Sequence, residues 1–193
     1  MKKRKISISD IIFIIFIALL IIPQTRQPIQ VAVNKLKVAV WSPGLFDTEN
    51  QEQIRPFQYT VRDMTGASKT IPIGQGKVTF LSYWATWCAP CIAELPEIQK
   101  LYMDYGDKVN FILLTQEDTH VVQEFLIKKG YDVPAYNPTT KAPEKLQENS
   151  IPTTYIIDTQ GKIVIRETGA ADWNSKKVRD KLDVLLTPKR REE

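Results

Sequence analysis

The chain has 193 residues, with 26 Lys+Arg against 22 Asp+Glu (net charge +4), 43% hydrophobic and 25% charged residues. That balance excludes disorder throughout, a collagen-like repeat and a multi-span membrane protein, and the length allows one core domain with extras. Two cysteines exclude a disulfide-stapled miniprotein and a four-cysteine zinc site.

The charge is unevenly placed. Lys2, Lys3, Arg4 and Lys5 are four cations in the first five residues, whereas residues 23–193 carry 22 basic and 21 acidic groups. The body is therefore close to neutral and has no basic stripe, so no nucleic-acid partner is expected. Lys189-Arg190-Arg191 is followed at once by Glu192-Glu193, and residues 189–193 read as a charged, frayed tail.

Behind the first cations, residues 11–22 read IIFIIFIALLII. Counted from Ile6, the apolar stretch is 17 residues; as a helix this is about 25 Å, near the lower limit for crossing a bilayer. The cations would stay on the cytoplasmic side and direct the body outward. A cleaved signal peptide and a retained signal anchor compete. No small-x-small cleavage site follows, since the next residues are Pro23, Gln24, Thr25, Arg26, Gln27 and Pro28, and this favours an anchor over 1–22. Residues 23–55 read as a stalk or linker, an amphipathic stretch or an extra strand, with Ser42-Pro43-Gly44 as a turn signal.

From residue 56 to 188 the pattern is that of one α/β domain. Phe57–Val61 and Thr70–Ile73 suggest an edge hairpin, with Pro72 suited to an edge. Lys77–Trp84 is a dense β-forming run expected at the centre of a sheet. Ile92, Leu95, Ile98, Leu101, Tyr102 and Tyr105 carry helical spacing, with Gly106 as the stop. A second buried strand at Asn110–Thr115, a helix over 118–129, a short strand near Val133–Tyr136 and a short helix at 142–148 follow. Thr153–Ile157 and Lys162–Arg166 flank the hairpin signal Asp158-Thr159-Gln160-Gly161, and a last helix covers 174–186. Strands alternating with helices predict a central sheet flanked by helices.

Both cysteines stand in Trp84-Ala85-Thr86-Trp87-Cys88-Ala89-Pro90-Cys91. At a helix start this spacing lets the two sulfurs approach bonding distance. Free N–H groups and the helix dipole there favour a thiolate at Cys88, the attacking species in thiol–disulfide exchange. Cys91, one turn in, is placed to resolve a mixed disulfide, and Pro90 suits the first helical turn. An inert disulfide is the plainer alternative, but a loop this short constrains the unfolded chain little. Half of a zinc site would need two more ligands, and His120 is the sole histidine. No metal is expected, and no cofactor beyond the redox-active pair itself.

The segment resembles the thioredoxin-fold proteins, and among them the membrane-anchored, extracytoplasmic TlpA/ResA-type thiol–disulfide oxidoreductases. The W-C-x-P-C motif is Trp87-Cys88-Ala89-Pro90-Cys91, Pro96 matches the proline of the active-site helix, and Ile151-Pro152-Thr153 matches the cis-proline loop. The resemblance covers about residues 57–187 and implies a mixed sheet. It also implies a cis bond before Pro152 that presents Ile151 to the sulfurs, where a substrate chain pairs like an added strand. Trp87, Pro90, Ile151 and Pro152 are thereby candidate substrate-binding residues.

Glu94, three residues after Cys91, matches a glutamate implicated near the site in this group. It would take a proton from the resolving thiol or tune the couple; otherwise it is a solvated first-turn carboxylate. Ser82 departs from cytoplasmic thioredoxins, which carry a buried aspartate there. Trp84 and Trp87 read as packing around the disulfide.

The resemblance implies a reductase of protein disulfides, frequently in cytochrome c maturation, recharged by a membrane electron donor. The rivals are a disulfide-forming oxidase and a non-enzymatic binding module on the same fold. A peroxidase is disfavoured because no P-x-x-x-T-x-x-C element is present.

Overall fold

Strand-forming runs rich in β-branched and aromatic residues assemble into one seven-stranded mixed sheet. The computed structural model describes residues 7–44 and 52–187. The strands are β1 (Phe57–Asp63), β2 (Ser68–Ile73), β3 (Val78–Tyr83), β4 (Val109–Leu114), β5 (Ala135–Pro138), β6 (Thr153–Ile157) and β7 (Ile163–Thr168), in the order β2-β1-β5-β4-β3-β6-β7. β3 runs parallel to β4, and β4 to β5; the other neighbours are antiparallel. The expected hairpin is β1–β2, with Pro72 on the outermost strand, where a missing N–H costs no ladder bond.

Helix α3 (Ala89–Tyr105) joins β3 to β4, and α4 (Thr119–Lys129) joins β4 to β5. Both crossovers step the same way across the sheet, so right-handed connections put both helices on one face. There Leu95, Ile98, Leu101, Val122 and Leu126 share a core with Phe80, Phe111, Trp84 and Trp173, and α5 (Lys176–Leu186) adds Val178 and Leu182. The alternate strand residues Leu81, Ile112, Leu114, Tyr155 and Ile157 form the opposite core with Ile54, Ala142 and Leu146. The short helix expected at 142–148 is a single 3-10 turn, Glu144–Leu146, entered from Pro143.

Two helices precede the domain. α1 (Ile8–Ile21) begins with a capping box: Ser7 Oγ accepts from Ser9 N, and Asp10 Oδ2 accepts from Ser7 N at 3.0 Å. It has 14 residues, about 21 Å of helix. Among the described residues no helix is long and apolar enough to cross a membrane. The basic cluster at 2–5 and the tail at 189–193 lie outside the described residues.

The stretch 23–55, read as a stalk or linker, an amphipathic stretch or an extra strand, is helical over Pro23–Val40. α2 (Pro23–Val40) starts with Pro23 in its first turn, where the absent N–H loses no partner. It lies against α3 through Val38, which is buried with Ala93 and Ala170. Trp41, its C-cap, donates Nε1–H to Glu167 (3.1 Å) and accepts from Asp172 N (2.8 Å). Further on, Gln53 bridges to Lys162, and Ile54 N donates to Gly161 O at 2.9 Å. Gly161 has φ +83, and a Cβ there would stand 2.6 Å from Ile54 O, so only glycine admits this approach.

Candidate active site

The site grows out of the junction between β3 and α3. Trp84 N donates to Leu114 O at 3.0 Å, which ends β3 against its parallel neighbour. The chain turns through Ala85–Trp87, and Cys88 N donates to Ala85 O. Cys88 is the N-cap of α3, in extended conformation, and its Sγ accepts from Cys91 N at 3.3 Å. Pro90 occupies the first turn. Cys88 and Cys91 are disulfide-bonded with Cα atoms 5.2 Å apart. Cys88 is 5% exposed and Cys91 1%, so both residues are buried and the capping one is the less so. On reduction the unpaired N–H groups of α3 face Cys88 and favour its thiolate.

The turn before Cys88 is held from two sides. Thr86 donates its N–H and its hydroxyl to the two oxygens of Glu117, both at 2.7 Å, and Gln27 of α2 donates to Thr86 O at 3.3 Å. Asn137 of β5 in turn donates to the carbonyls of Thr115 and Glu117. Neither Glu117 nor Thr86 was a candidate from sequence, because the contact spans 31 positions and follows no motif.

The Ile151–Pro152 bond is cis, as the resemblance implied. Ile151 and Cys88 line one groove together with Trp87 and Pro90, and α2 supplies its other wall. Trp87 and Ile151 also line a second groove with Glu117 and Glu148. The expectation that both tryptophans pack around the disulfide divides here. Trp84 is 3% exposed and stacks obliquely on Phe125, whereas Trp87 is 66% exposed and forms the ridge between the two grooves.

Glu94 is not the solvated carboxylate of the plainer alternative. It is 1% exposed, and its Oε2 accepts from Trp173 Nε1 (3.1 Å) and Ala171 N (3.3 Å). Burial pushes its carboxyl up to about 8, opposed by those two donors and by Lys37, and reinforced by Glu167. Trp173, without a role in the sequence reading, is fully buried and stands edge-on to Phe80. The gap at Ser82 is real: the residue is buried, and Ser82 Oγ accepts from Thr154 Oγ1 at 2.7 Å with no carboxylate at that position. His120 lies on the surface beside Glu124.

Comparison with known proteins agrees with this geometry. The Redoxin family matches residues 54–185. A thiol-disulfide oxidoreductase ResA of Bacillus cereus is 32% identical over 132 residues, covering 65% of this chain and 76% of that protein. The sporulation thiol-disulfide oxidoreductase A of Bacillus subtilis (strain 168) is 23% identical over 145 residues, covering 72% and 87% respectively. Among solved structures, a DsbF homologue from Corynebacterium diphtheriae superposes with a TM-score of 0.55 at 21% identity, covering 73% of this chain and 93% of that one, which supports the thioredoxin-like fold. With its Cys-x-x-Cys pair capping the helix behind the central strand, the chain belongs to the Redoxin family and is a thiol–disulfide oxidoreductase of the ResA type.

Proposed function

We propose that this protein reduces protein disulfides outside the cytoplasm while tethered to the membrane by its N-terminal helix. The observation that carries the reductive chemistry is the Cys88–Cys91 pair, with Cys88 on the tip of α3 in the groove that Ile151 also lines. In the reduced enzyme the Cys88 thiolate attacks one sulfur of a substrate disulfide. A mixed disulfide forms, and the displaced substrate thiolate takes a proton. Cys91 then loses its proton and attacks Cys88 Sγ; the Cys88–Cys91 bond forms, and the second substrate sulfur leaves as a thiol. Two electrons and two protons pass to the substrate, with no cofactor or metal in the cycle.

Glu94, one helical turn from Cys91 and with its proton affinity raised, is suited to receive the proton that Cys91 gives up. Trp87, Pro90, Ile151 and Pro152 hold the substrate chain. The tether reading rests on four cations followed by an all-apolar run, and cytochrome c maturation as the task rests on the likeness to the TlpA/ResA-type proteins. A reductase in an oxidising compartment needs a membrane electron donor, and a tether keeps the two within reach.

Cys91→Ser in the full-length protein tests the mechanism. The variant should retain substrate proteins as adducts through Cys88, released by dithiothreitol. Absence of adducts in cells, with insulin reduction equal in wild type and Cys88→Ser, would leave only a binding module. A Cys88–Cys91 potential at the strongly oxidising end, near that of a disulfide-forming oxidase, would reverse the direction of the cycle.

A further inference from the structure

The chemistry of the site lies within residues 54–185, the stretch shared with the family, but one wall of the groove at Cys88 does not. That wall is α2. Arg26, Gln30 and Asn34 recur every fourth residue, so they share one helical face, and this face lines the groove opposite Trp87 and Ile151. α2 is held in place at both ends of its contact, by Gln27 on Thr86 O and by Val38 between Ala93 and Ala170.

The two sides of the site differ in charge. Arg26 is the charged residue of the groove beside α2, which holds no carboxylate, and among the described residues it makes no ion pair. Across the Trp87–Ile151 ridge, the second groove carries Glu117 and Glu148. Both carboxylates are already engaged, Glu117 by Thr86 and Glu148 by Arg166 and Tyr155. The unengaged charge facing a substrate is therefore the guanidinium, flanked by carboxamides that pair with peptide groups.

We propose that α2 is the selective wall of the exchange site, and that Arg26 makes it prefer extended polypeptide segments carrying an acidic residue beside the reactive cysteine. This rests on the oxidoreductase reading above. An arginine suits a segment with a carboxylate next to its cysteine, because its fork of N–H donors holds a carboxylate in two bonds.

The test uses the reduced full-length protein and three disulfide-linked fluorogenic peptides, identical except for Asp, Ser or Lys next to the attacked cysteine. The wild type should reduce the Asp peptide about fivefold faster than the Ser peptide at low salt, the scale of one close charge pair in water, and the Lys peptide more slowly than the Ser peptide. The preference should shrink in 0.5 M NaCl, as screening requires at about that ionic strength. Arg26→Glu should invert the order. Arg62→Glu, which changes the net charge equally at an exposed position of β1, should keep it. Equal preference in wild type and Arg26→Glu would overturn the assignment of Arg26 while leaving the reductase intact. Failure to reduce any of the peptides, together with an empty Cys91→Ser trap, would sink the oxidoreductase reading and this proposal with it.

Discussion

Trp173 donates its indole N–H to the carboxylate of Glu94 across 3.1 Å, joining the segment after β7 to the second turn of the active-site helix. The pair couples the only fully buried carboxyl described in the domain to the fold's C-terminal third. Its protonation therefore enters the stability of the domain.

Glu94 titrates near its ordinary value of 4.5 in the unfolded chain and at about 8 in the folded one. Between those values the folded state holds the extra proton, so stability falls as pH rises through the window and levels off above about 8. Glu94→Gln removes the titration and should flatten that fall. Urea unfolding of the oxidised protein at pH 5 and pH 8.5 measures it. The variant should lose less stability between the two pH values than the wild type does. Asp172, whose carboxyl burial also raises, is present in both proteins and cancels in the difference. An identical pH dependence would show that Glu94 does not titrate in this way.

Trp173→Phe keeps most of the ring but deletes the donor. The remaining support for a Glu94 carboxylate is then Ala171 N and the charge of Lys37, so the carboxyl becomes harder to ionise. The midpoint of the pH-dependent stability loss should move upward, and the protein should be weaker by about 1–3 kcal/mol, the range for an orphaned buried partner. Denaturant titrations over a pH series give both quantities.

Glu117→Ala releases both groups of Thr86 from their 2.7 Å bonds. These bonds are charge-assisted and partly buried, so the loss should be roughly 1.5–3 kcal/mol. Because Thr86 stands two residues before Cys88, the rate of insulin reduction should fall as well, whereas Glu117→Gln, which keeps one acceptor oxygen, should recover part of it. Unchanged rates in both variants would mean that the turn is held without Glu117.

The parts of this molecule that could be read directly were those whose signals are local. β3 and β4 are mostly apolar, β-forming runs buried on both faces, and Cys88, Pro90 and Cys91 carry their meaning in spacing within one turn. Glu94 could be flagged by its distance from Cys91, but its partner could not, since Trp173 is 79 residues away and nothing local links them. α2 escaped for a different reason. Pro23 and Pro28 break a helical signature, and Val38 is its buried hydrophobic anchor, so its helix depends on packing against Ala93 and Ala170 more than on its own pattern. At 142–148 the helical signal was too short, and Pro143 leaves room for only one 3-10 turn.

Val38→Asp tests that dependence on packing. Val38 is 5% exposed and sits between two alanines, an apolar contact in which a carboxylate would be desolvated. Burying an unpaired charge there costs more than the contact is worth, so α2 should leave α3 rather than hold it. Lys35 and Lys37 then lie on a released segment and should be cut rapidly by trypsin, with residues 52–187 surviving as a resistant core. Val38→Ala, which keeps an apolar surface, should lose about 1–2 kcal/mol of docking and stay protected for longer. If α2 is cut equally fast in wild type and Val38→Asp, the contact with Ala93 and Ala170 is not what keeps the helix against the active-site helix.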